Sequence, residues 1–231
     1  VCSSDLAMHV SDPTNPLNLS AAQWQSDSDA LALIKGSYAV ALSGVVPEDA
    51  SNLAQNSKIL NLSVAACGSD LIANLANLNG LGSKIKSIAQ LDPQNNLTVS
   101  LSDWNTYQPL FAKFRSGLHV NLSQVPAAQA QSLLADSRVS AVAISDTAAN
   151  LSANINTLQS LGTALSSVTQ TDAAALAMSM QQYAQNTTTL SKFSGNYALT
   201  INEASVQRFI KLFPKLRVES HTLPEIGRAH V

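Results

Sequence analysis

Charged residues are scarce in this sequence. Asp, Glu, Lys and Arg make up 12% of its 231 residues, and 13 basic side chains nearly balance 15 acidic ones, so the net charge is −2 at pH 7. Without a basic excess there is no electrostatic attraction to nucleic acid or to an anionic membrane surface. Apolar runs are short, since none approaches the roughly 20 residues of a transmembrane helix. We therefore expect no nucleic-acid partner and no membrane insertion.

Cysteine is limited to Cys2 and Cys67, and Cys2 lies in a segment that we attribute to an artefact. The opening residues VCSSDL and the closing residues EIGRAHV can be translated from DNA strings that are reverse complements of each other. A synthetic sequencing adapter read in frame at both ends gives this pattern. We therefore expect residues 1–6 and 225–231 to be adapter-encoded and the natural polypeptide to continue in both directions. Cys67 is then single, which excludes an internal disulfide and a cysteine metal cluster.

The common catalytic motifs are absent as well. Neither HExxH nor GxSxG occurs, and His9, His119 and His221 share no register that would indicate a zinc site. The string GLGSK, from Gly80 to Lys84, lacks the GxxxxGK[ST] spacing of a phosphate-binding loop. We assign no catalytic residue and predict that the chain is not an enzyme.

What the sequence does contain is a tandem repeat. Trp24 aligns with Trp104 at a shift of 80 residues (104 − 24 = 80), and long ungapped stretches on both sides keep that shift. A third copy is one residue shorter and places Tyr183 where the tryptophans stand. This predicts repeat 1 at residues 7–91, repeat 2 at residues 92–171 and a partial repeat 3 at residues 172–224.

Each repeat is predicted to hold three helix–strand pairs. In the first pair of repeat 1, an amphipathic helix over residues 20–34 precedes the alternating strand YAVALS. In the second pair, a short helix from Pro47 to about Asn56 precedes ILNLSV. In the third pair, a leucine stripe ends at Gly82 before a strand through Ile88. The stripe consists of Leu71, Leu75, Leu78 and Leu81, matched in repeat 2 by Leu151, Ile155, Leu158 and Leu161.

This alternation predicts an α/β fold with parallel strands joined by right-handed crossover helices. An open doubly wound sheet and a solenoid both satisfy it. Exact repetition favours a solenoid, because each unit must offer its neighbour the face that it receives. Strands stack about 4.8 Å apart and packed helices roughly 8–10 Å, so the array should curve like a leucine-rich-repeat horseshoe, with three strands in each repeat.

One string also carries a resemblance. VAISDTAANLSANINTLQSLGTALSSVTQTD, from Val142, and the modules flanking it resemble the SDTAAN-type repeats of very large secreted bacterial proteins, over residues 9–218. The resemblance implies a segment of an extracellular or cell-surface protein with an adhesive role. Many such proteins also carry haemolysin-type calcium-binding repeats. Their GGxGxDxUx motif is absent from this chain, so a calcium site of that kind would lie elsewhere in the parent protein.

Three sets of equivalent residues are candidates for binding. Asp12, Asp92 and Asp172 stand 80 residues apart and either bind a divalent cation or cap a turn into the next helix. We favour the turn, because equivalent strands of successive repeats are roughly 14 Å apart. The aromatic row of Trp24, Trp104 and Tyr183 either stacks on sugars or packs in the core, and helical spacing favours the core. Asn74 and Asn154 are expected to bond backbone groups of an adjoining turn, with a ligand role as the alternative.

Three functions fit these observations. The leading hypothesis is a non-enzymatic scaffold and adhesive segment whose partners are neighbouring repeats and surface glycans or proteins. The first alternative is a calcium-responsive binding module that uses the three aspartates. The second is a carbohydrate-active enzyme built on a solenoid, although the clustered acids that it needs are not visible in the sequence. No cofactor is predicted.

Overall fold

The computed structural model describes residues 8–12, 14–115 and 117–202. The predicted α/β class with parallel sheets is confirmed, because the strand pairs in these ranges run parallel. The adapter segments and His221 lie outside the described residues. The described residues divide into two compact units, one within 8–97 and 103–119 and the other within 98–102 and 120–202.

Short strands and helices alternate along the chain. The elements up to residue 90 are β1 (Met8–His9), β2 (Leu17–Ser20), α1 (Ala21–Ser26), α2 (Ser28–Ala32), β3 (Ile34–Lys35), β4 (Val40–Val45), α3 (Pro47–Ala54), β5 (Ile59–Ala66), α4 (Gly68–Ala73), α5 (Leu75–Gly80) and β6 (Ile85–Gln90). The later elements are β7 (Leu97–Ser100), α6 (Leu101–Thr106), α7 (Gln108–Phe111), β8 (Val120–Val125), α8 (Ala130–Leu133), β9 (Val139–Asp146), α9 (Ala148–Ser160), β10 (Leu165–Gln170), β11 (Leu176–Met178), α10 (Met180–Gln185), α11 (Thr187–Leu190) and β12 (Leu199–Ile201). Short 3-10 turns occur at Gly82–Lys84, Ala127–Gln129 and Gly162–Ala164.

Two four-stranded sheets have the same layout. One has the order β2-β4-β5-β6 and the other the order β7-β8-β9-β10, so in each sheet the strands follow chain order. The prediction of three strands per repeat was therefore wrong by one. The overlooked strand, β2 in repeat 1 and β7 in repeat 2, has four residues, which is too short for its alternation to stand out from the helix start that follows.

The predicted solenoid is not shown. The described strands form separate parallel sheets, the two above and the two-stranded pairs β1-β3 and β11-β12. Short bridges extend the third strand of each repeat, since Ile88 pairs with Phe114 and Val168 with Phe193. Met8 pairs with Ile34 at the equivalent position. The local pattern of the repeat therefore continues beyond the four-stranded sheets.

The predicted helices are present but shorter. The first helix of repeat 1 is interrupted at Asp27, whose backbone leaves the helical region (φ −102°, ψ 20°). The third helix is interrupted at Asn74 in repeat 1 but runs unbroken as α9 in repeat 2. Gly82 and Gly162 follow the third helices with φ of +51° and +56°, which confirms the predicted glycine stop.

The two inner strands of the first sheet, β4 and β5, have one buried face and one more open face. Leu42, Leu62 and Val64 point into the core and are almost fully buried. The opposite face carries small polar side chains, and a register row of Ser43, Ser63 and Ser87 crosses three strands there. The hydroxyl of Ser87 donates to that of Ser63 at 3.0 Å. The open face is therefore polar and nearly uncharged.

Candidate functional site

The repeated aspartates lie in the loops that follow the third strand. Asp92 follows β6, and its carboxylate accepts the backbone N–H of Gly68 at 2.8 Å. Asp172 follows β10 and accepts the N–H of Ala148 at 3.0 Å. Gly68 and Ala148 are the first residues of α4 and α9. Each carboxylate therefore caps the start of a third helix, the helix that precedes the strand after which the aspartate lies.

This capping corrects the predicted role in one respect. We expected each aspartate to cap the turn into the next helix, but the contact is made with the preceding helix, 24 residues away. The parallel strands explain this, because the end of the third strand lies beside the end of the second, where that helix begins. Asp12 instead accepts bonds within its own turn, from Thr14 and from the side chain of Asn15.

Hydrogen bonds to Asp12 and Asp92 favour the ionised form of both carboxyl groups. The side chain of Asn95 and the N–H of Gly68 hold the pKa of Asp92 below its ordinary value of 3.8. The side chains of Thr14 and Asn15 lower the pKa of Asp12 in the same way. Asp12 and Asp92 are accordingly anionic at neutral pH, and their oxygens already accept hydrogen bonds. A calcium ion at Asp92 would compete with the N–H of Gly68 and the amide of Asn95.

In the described ranges, no cluster of metal-binding side chains forms around the aspartates. Among residues 8–12, 14–115 and 117–202, no three or more His, Cys, Asp or Glu side chains come together in a way that would hold a metal ion. The structure places Asp12, Asp92 and Asp172 in three different loops. Calcium binding by these residues stays a prediction.

A fourth carboxylate, which sequence reasoning missed, is buried and accepts three hydrogen bonds. Asp146 ends β9 and is 9% exposed. It accepts the N–H groups of Ala127 at 2.9 Å and Thr147 at 2.8 Å, and the amide of Asn150 at 2.7 Å. Burial alone raises its pKa, but the bonds from Asn150 and the two N–H groups outweigh burial and hold the pKa below 3.8. The missed signal was the SDTAAN string itself, in which Asp146 stands where repeat 1 has Ala66.

The aromatic row is not uniform. Trp104 is 3% exposed and its ring lies 5.0 Å from that of Phe111, as the core interpretation predicted. Trp24 is half-buried, and Tyr183 is 41% exposed. The core prediction therefore holds for Trp104 and is wrong for Tyr183.

Tyr183 borders a cleft of about 470 Å³. The rings of Phe193 and Tyr197 pack at 4.8 Å along it, and Asn196 and Thr187 supply polar groups. Burial, and then the nearby Tyr183, raise the pKa of Tyr197, so its hydroxyl stays protonated at neutral pH. Aromatic faces beside neutral hydrogen-bonding groups suit an uncharged sugar.

The asparagine prediction is confirmed in part. Asn74 donates to the carbonyl of Asp70 at 3.0 Å, and Asn154 donates to that of Asn150 at 2.9 Å. Both bonds lie within the third helix and not in an adjoining turn. Asn74 also donates to the Glu48 carboxylate at 3.3 Å, which ties the third helix to the second.

The structure also describes His9, His119 and the GLGSK string. His9 lies in β1 and His119 precedes β8. The GLGSK string forms the end of α5 and a 3-10 turn, and the ammonium of Lys84 bonds the carbonyl of Ile59 at 2.5 Å. The ammonium of Lys84 therefore already donates to a backbone carbonyl.

No model of a known family, no characterised protein and no solved structure matches this chain. Of the helices in the described ranges, none combines the length and the apolarity that a membrane crossing requires. The function of the chain is therefore inferred from the geometry of the repeats.

Proposed function

We propose that this chain is a non-enzymatic scaffold and adhesive segment of a large secreted or cell-surface bacterial protein. The observation that carries the proposal is that one set of backbone contacts recurs in two repeats. Asp92 and Asp172 cap equivalent helices. Equivalent environments in successive copies suit length and an extended surface, whereas catalysis needs one site unlike the others.

The architecture proposed for this segment is a right-handed solenoid. Strand order that follows the chain supports it, because a doubly wound sheet reverses its order at a switch point. One apolar and one small polar face on the first sheet support it too, since helices on both sides would require two apolar faces. The resemblance to SDTAAN-type repeats and the low charge support the extracellular setting.

The adhesive part of the proposal is tested by binding. The full chain, immobilised, is screened against neutral glycans and surface proteins. We expect binding to neutral glycans that Tyr183→Ala weakens about five- to 100-fold, since stacking of a planar or apolar ligand face on an aromatic ring is worth roughly 1–3 kcal/mol. Tyr107→Ala, which removes a half-buried tyrosine away from the cleft, is the matched control. Binding that both variants leave unchanged would remove the cleft from the proposal.

The calcium alternative has its own test. Because the carboxylates of Asp92 and Asp172 already accept backbone N–H groups, we expect calcium to leave the melting temperature unchanged. Isothermal titration and thermal melts of the full chain with calcium, and with magnesium for comparison, measure this. A calcium-specific rise in melting temperature that Asp92→Asn abolishes would replace the scaffold proposal with a calcium-responsive module.

A further inference from the structure

Helices of the first pair pack against the third helix of the repeat before them. In the first unit, α7 contacts α5, and Leu110 and Phe111 of α7 are each 2% exposed. In the second unit, α11 contacts α9, and Leu190 is 6% exposed. Leu190 is the counterpart of Phe111, so this apolar position is buried in both places by the same kind of partner, the third helix–strand pair.

Polar bonds accompany this contact in both places. The ammonium of Lys113 donates to the carbonyls of Gly82 and Ile85, at 2.5 and 2.8 Å. The ammonium of Lys192 donates to those of Gly162 and Leu165, at 2.6 and 2.5 Å. Gly82 and Gly162 open the 3-10 turns after the third helices, and Ile85 and Leu165 are the first residues of the strands that follow these turns. A lysine of the first pair therefore closes the end of each third helix.

The first pair of repeat 1 has the same face, and none of the described third helices covers it. Neither α1 nor α2 has a buried residue, whereas α7, which is the equivalent of α2, has two. We define the docking face as Met8, Trp24, Leu31, Leu33 and Ile34, which are half-buried or exposed, with Leu33 46% and Met8 38% exposed. Trp24 and Leu31 are the counterparts of the buried Trp104 and Phe111.

We propose that the docking face binds the third helix–strand pair of a further repeat, placed ahead of it in the same polypeptide. The β1 strand supports this partner, because Met8 pairs with Ile34 as Ile88 pairs with Phe114. Met8 and His9 thus hold the position where the third strand of such a repeat ends. The third helices in the described chain, α5 and α9, are both covered, so a second molecule of this chain offers no free copy.

This inference rests on the stacked array of the proposed function and adds the partner of one face. It gives Trp24 a specific role, as the equivalent of Trp104 at an interface between repeats. The position of Lys113 and Lys192 is occupied by Leu33 in repeat 1. A partner at the docking face would therefore bury Leu33 against its turn and leave two carbonyls without an ammonium.

The test extends the full chain with a copy of residues 8–87 placed directly before Met8, which continues the repeat in register. Trp104→Phe, and Trp24→Phe within the added copy, leave Trp24 of the original repeat as the only tryptophan. We expect its fluorescence to shift to the blue and its quenching by acrylamide to fall to the level of Trp104, measured in a Trp24→Phe chain. Trp24 that stays as accessible as in the unextended chain would overturn the inference.

A second variant keeps the test independent of folding defects. Leu33→Lys supplies the missing ammonium, so we expect it to raise the melting temperature of the extended chain and not that of the unextended chain. Equal effects in both chains would contradict the proposed contact. A quencher-accessible Trp104 in the unextended chain would instead contradict the stacked array itself, so the two failures are distinguishable. Protection of Trp24 that grows with protein concentration would show a second molecule at the face and also overturn the proposal.

Discussion

Gly44 and Gln124 occupy the same position in two repeats and adopt the same unusual backbone conformation. Their φ angles are +66° and +58°, at register shifts in β4 and β8. A Cβ added to Gly44 would meet no atom within 4 Å, so the constraint there is the backbone and not space. An L-residue with a side chain pays roughly 1–2 kcal/mol for this region. Repeat 2 carries that cost at Gln124.

Exchanging the two residues should move stability in opposite directions. We expect Gln124→Gly to raise the free energy of unfolding by about 0.5–1 kcal/mol and Gly44→Gln to lower it by about 1 kcal/mol, after the flexibility of glycine in the unfolded chain is counted. Urea unfolding measures both. Gly80 ends a helix, has free space around it and has no positive φ, so Gly80→Gln is the control and should not destabilise. A matching loss at Gly80 would show that φ is not the cause.

Asp146 should make stability depend on acidity. Removing its carboxylate leaves the N–H groups of Ala127 and Thr147 without this acceptor, so we expect Asp146→Ala to cost about 1–2 kcal/mol at neutral pH. Because its pKa is lower folded than unfolded, its stabilising effect is present above the ordinary value of 3.8 and is lost as pH falls through the folded pKa. Urea unfolding at pH 7 and at pH 3 should therefore show a smaller drop for Asp146→Asn than for the parent chain. An identical drop would assign the acid sensitivity to other carboxylates.

At the scale of elements, the ends of the third helices are the points where layers are joined. The carbonyls of Gly82 and Gly162 lie in the 3-10 turns that follow these helices, and the Gly82 carbonyl also accepts the N–H of Ile85. Lys113 and Lys192 reach these turns from the helix–strand pair that follows, 31 and 30 residues from Gly82 and Gly162. Each ammonium thus connects such a turn to the next helix–strand pair along the chain.

Removing one of these ammonium groups should weaken the unit that contains it. We expect Lys113→Met, which keeps the length of the apolar stem, to lower the free energy of unfolding by about 1 kcal/mol, because two charge-assisted bonds are lost at a partly exposed position. Lys86→Met, at an exposed position of β6, is the matched control and should stay within about 0.5 kcal/mol. Equal losses in urea unfolding would mean that charge alone, and not the carbonyl contact, is responsible.

At the scale of the whole molecule, charge contributes little. Charged residues are 12% of the chain, and the Arg138–Asp136 ion pair joins side chains two residues apart with both partly exposed. Such pairs contribute roughly 0–1 kcal/mol. The elements are held instead by apolar side chains and by hydrogen bonds of aspartate and lysine side chains to backbone groups.

Stability should therefore respond weakly to salt. Between roughly 0.02 and 0.3 M NaCl, where screening of surface charges changes most, we expect the free energy of unfolding to vary by less than about 0.5 kcal/mol. Thermal melts across this range at pH 7, repeated with KCl, measure the effect. A strong decrease with either salt would reveal a stabilising charge network that the described residues do not show.

The sequence predicted the elements that have a strong local signal. The strand at Val40–Val45, the helix start at Pro47 and the glycine stops at Gly82 and Gly162 agree with the structure. The four-residue strand β2 was missed because its pattern is only two alternations long. The break at Asp27 was missed because the apolar spacing on either side of it remains helical.

By itself, the sequence determined the repeat, its three helix–strand pairs and the parallel α/β class, because hydrophobic periodicity and glycine or proline positions act locally along the chain. Only the tertiary structure decided which helix Asp92 and Asp172 cap, what Asp146 binds, and that Trp104 is buried while Trp24 is not. These outcomes depend on which strands lie side by side and on which helices pack against one another. Such neighbours come from distant parts of the chain, and the residue itself is the same in either case.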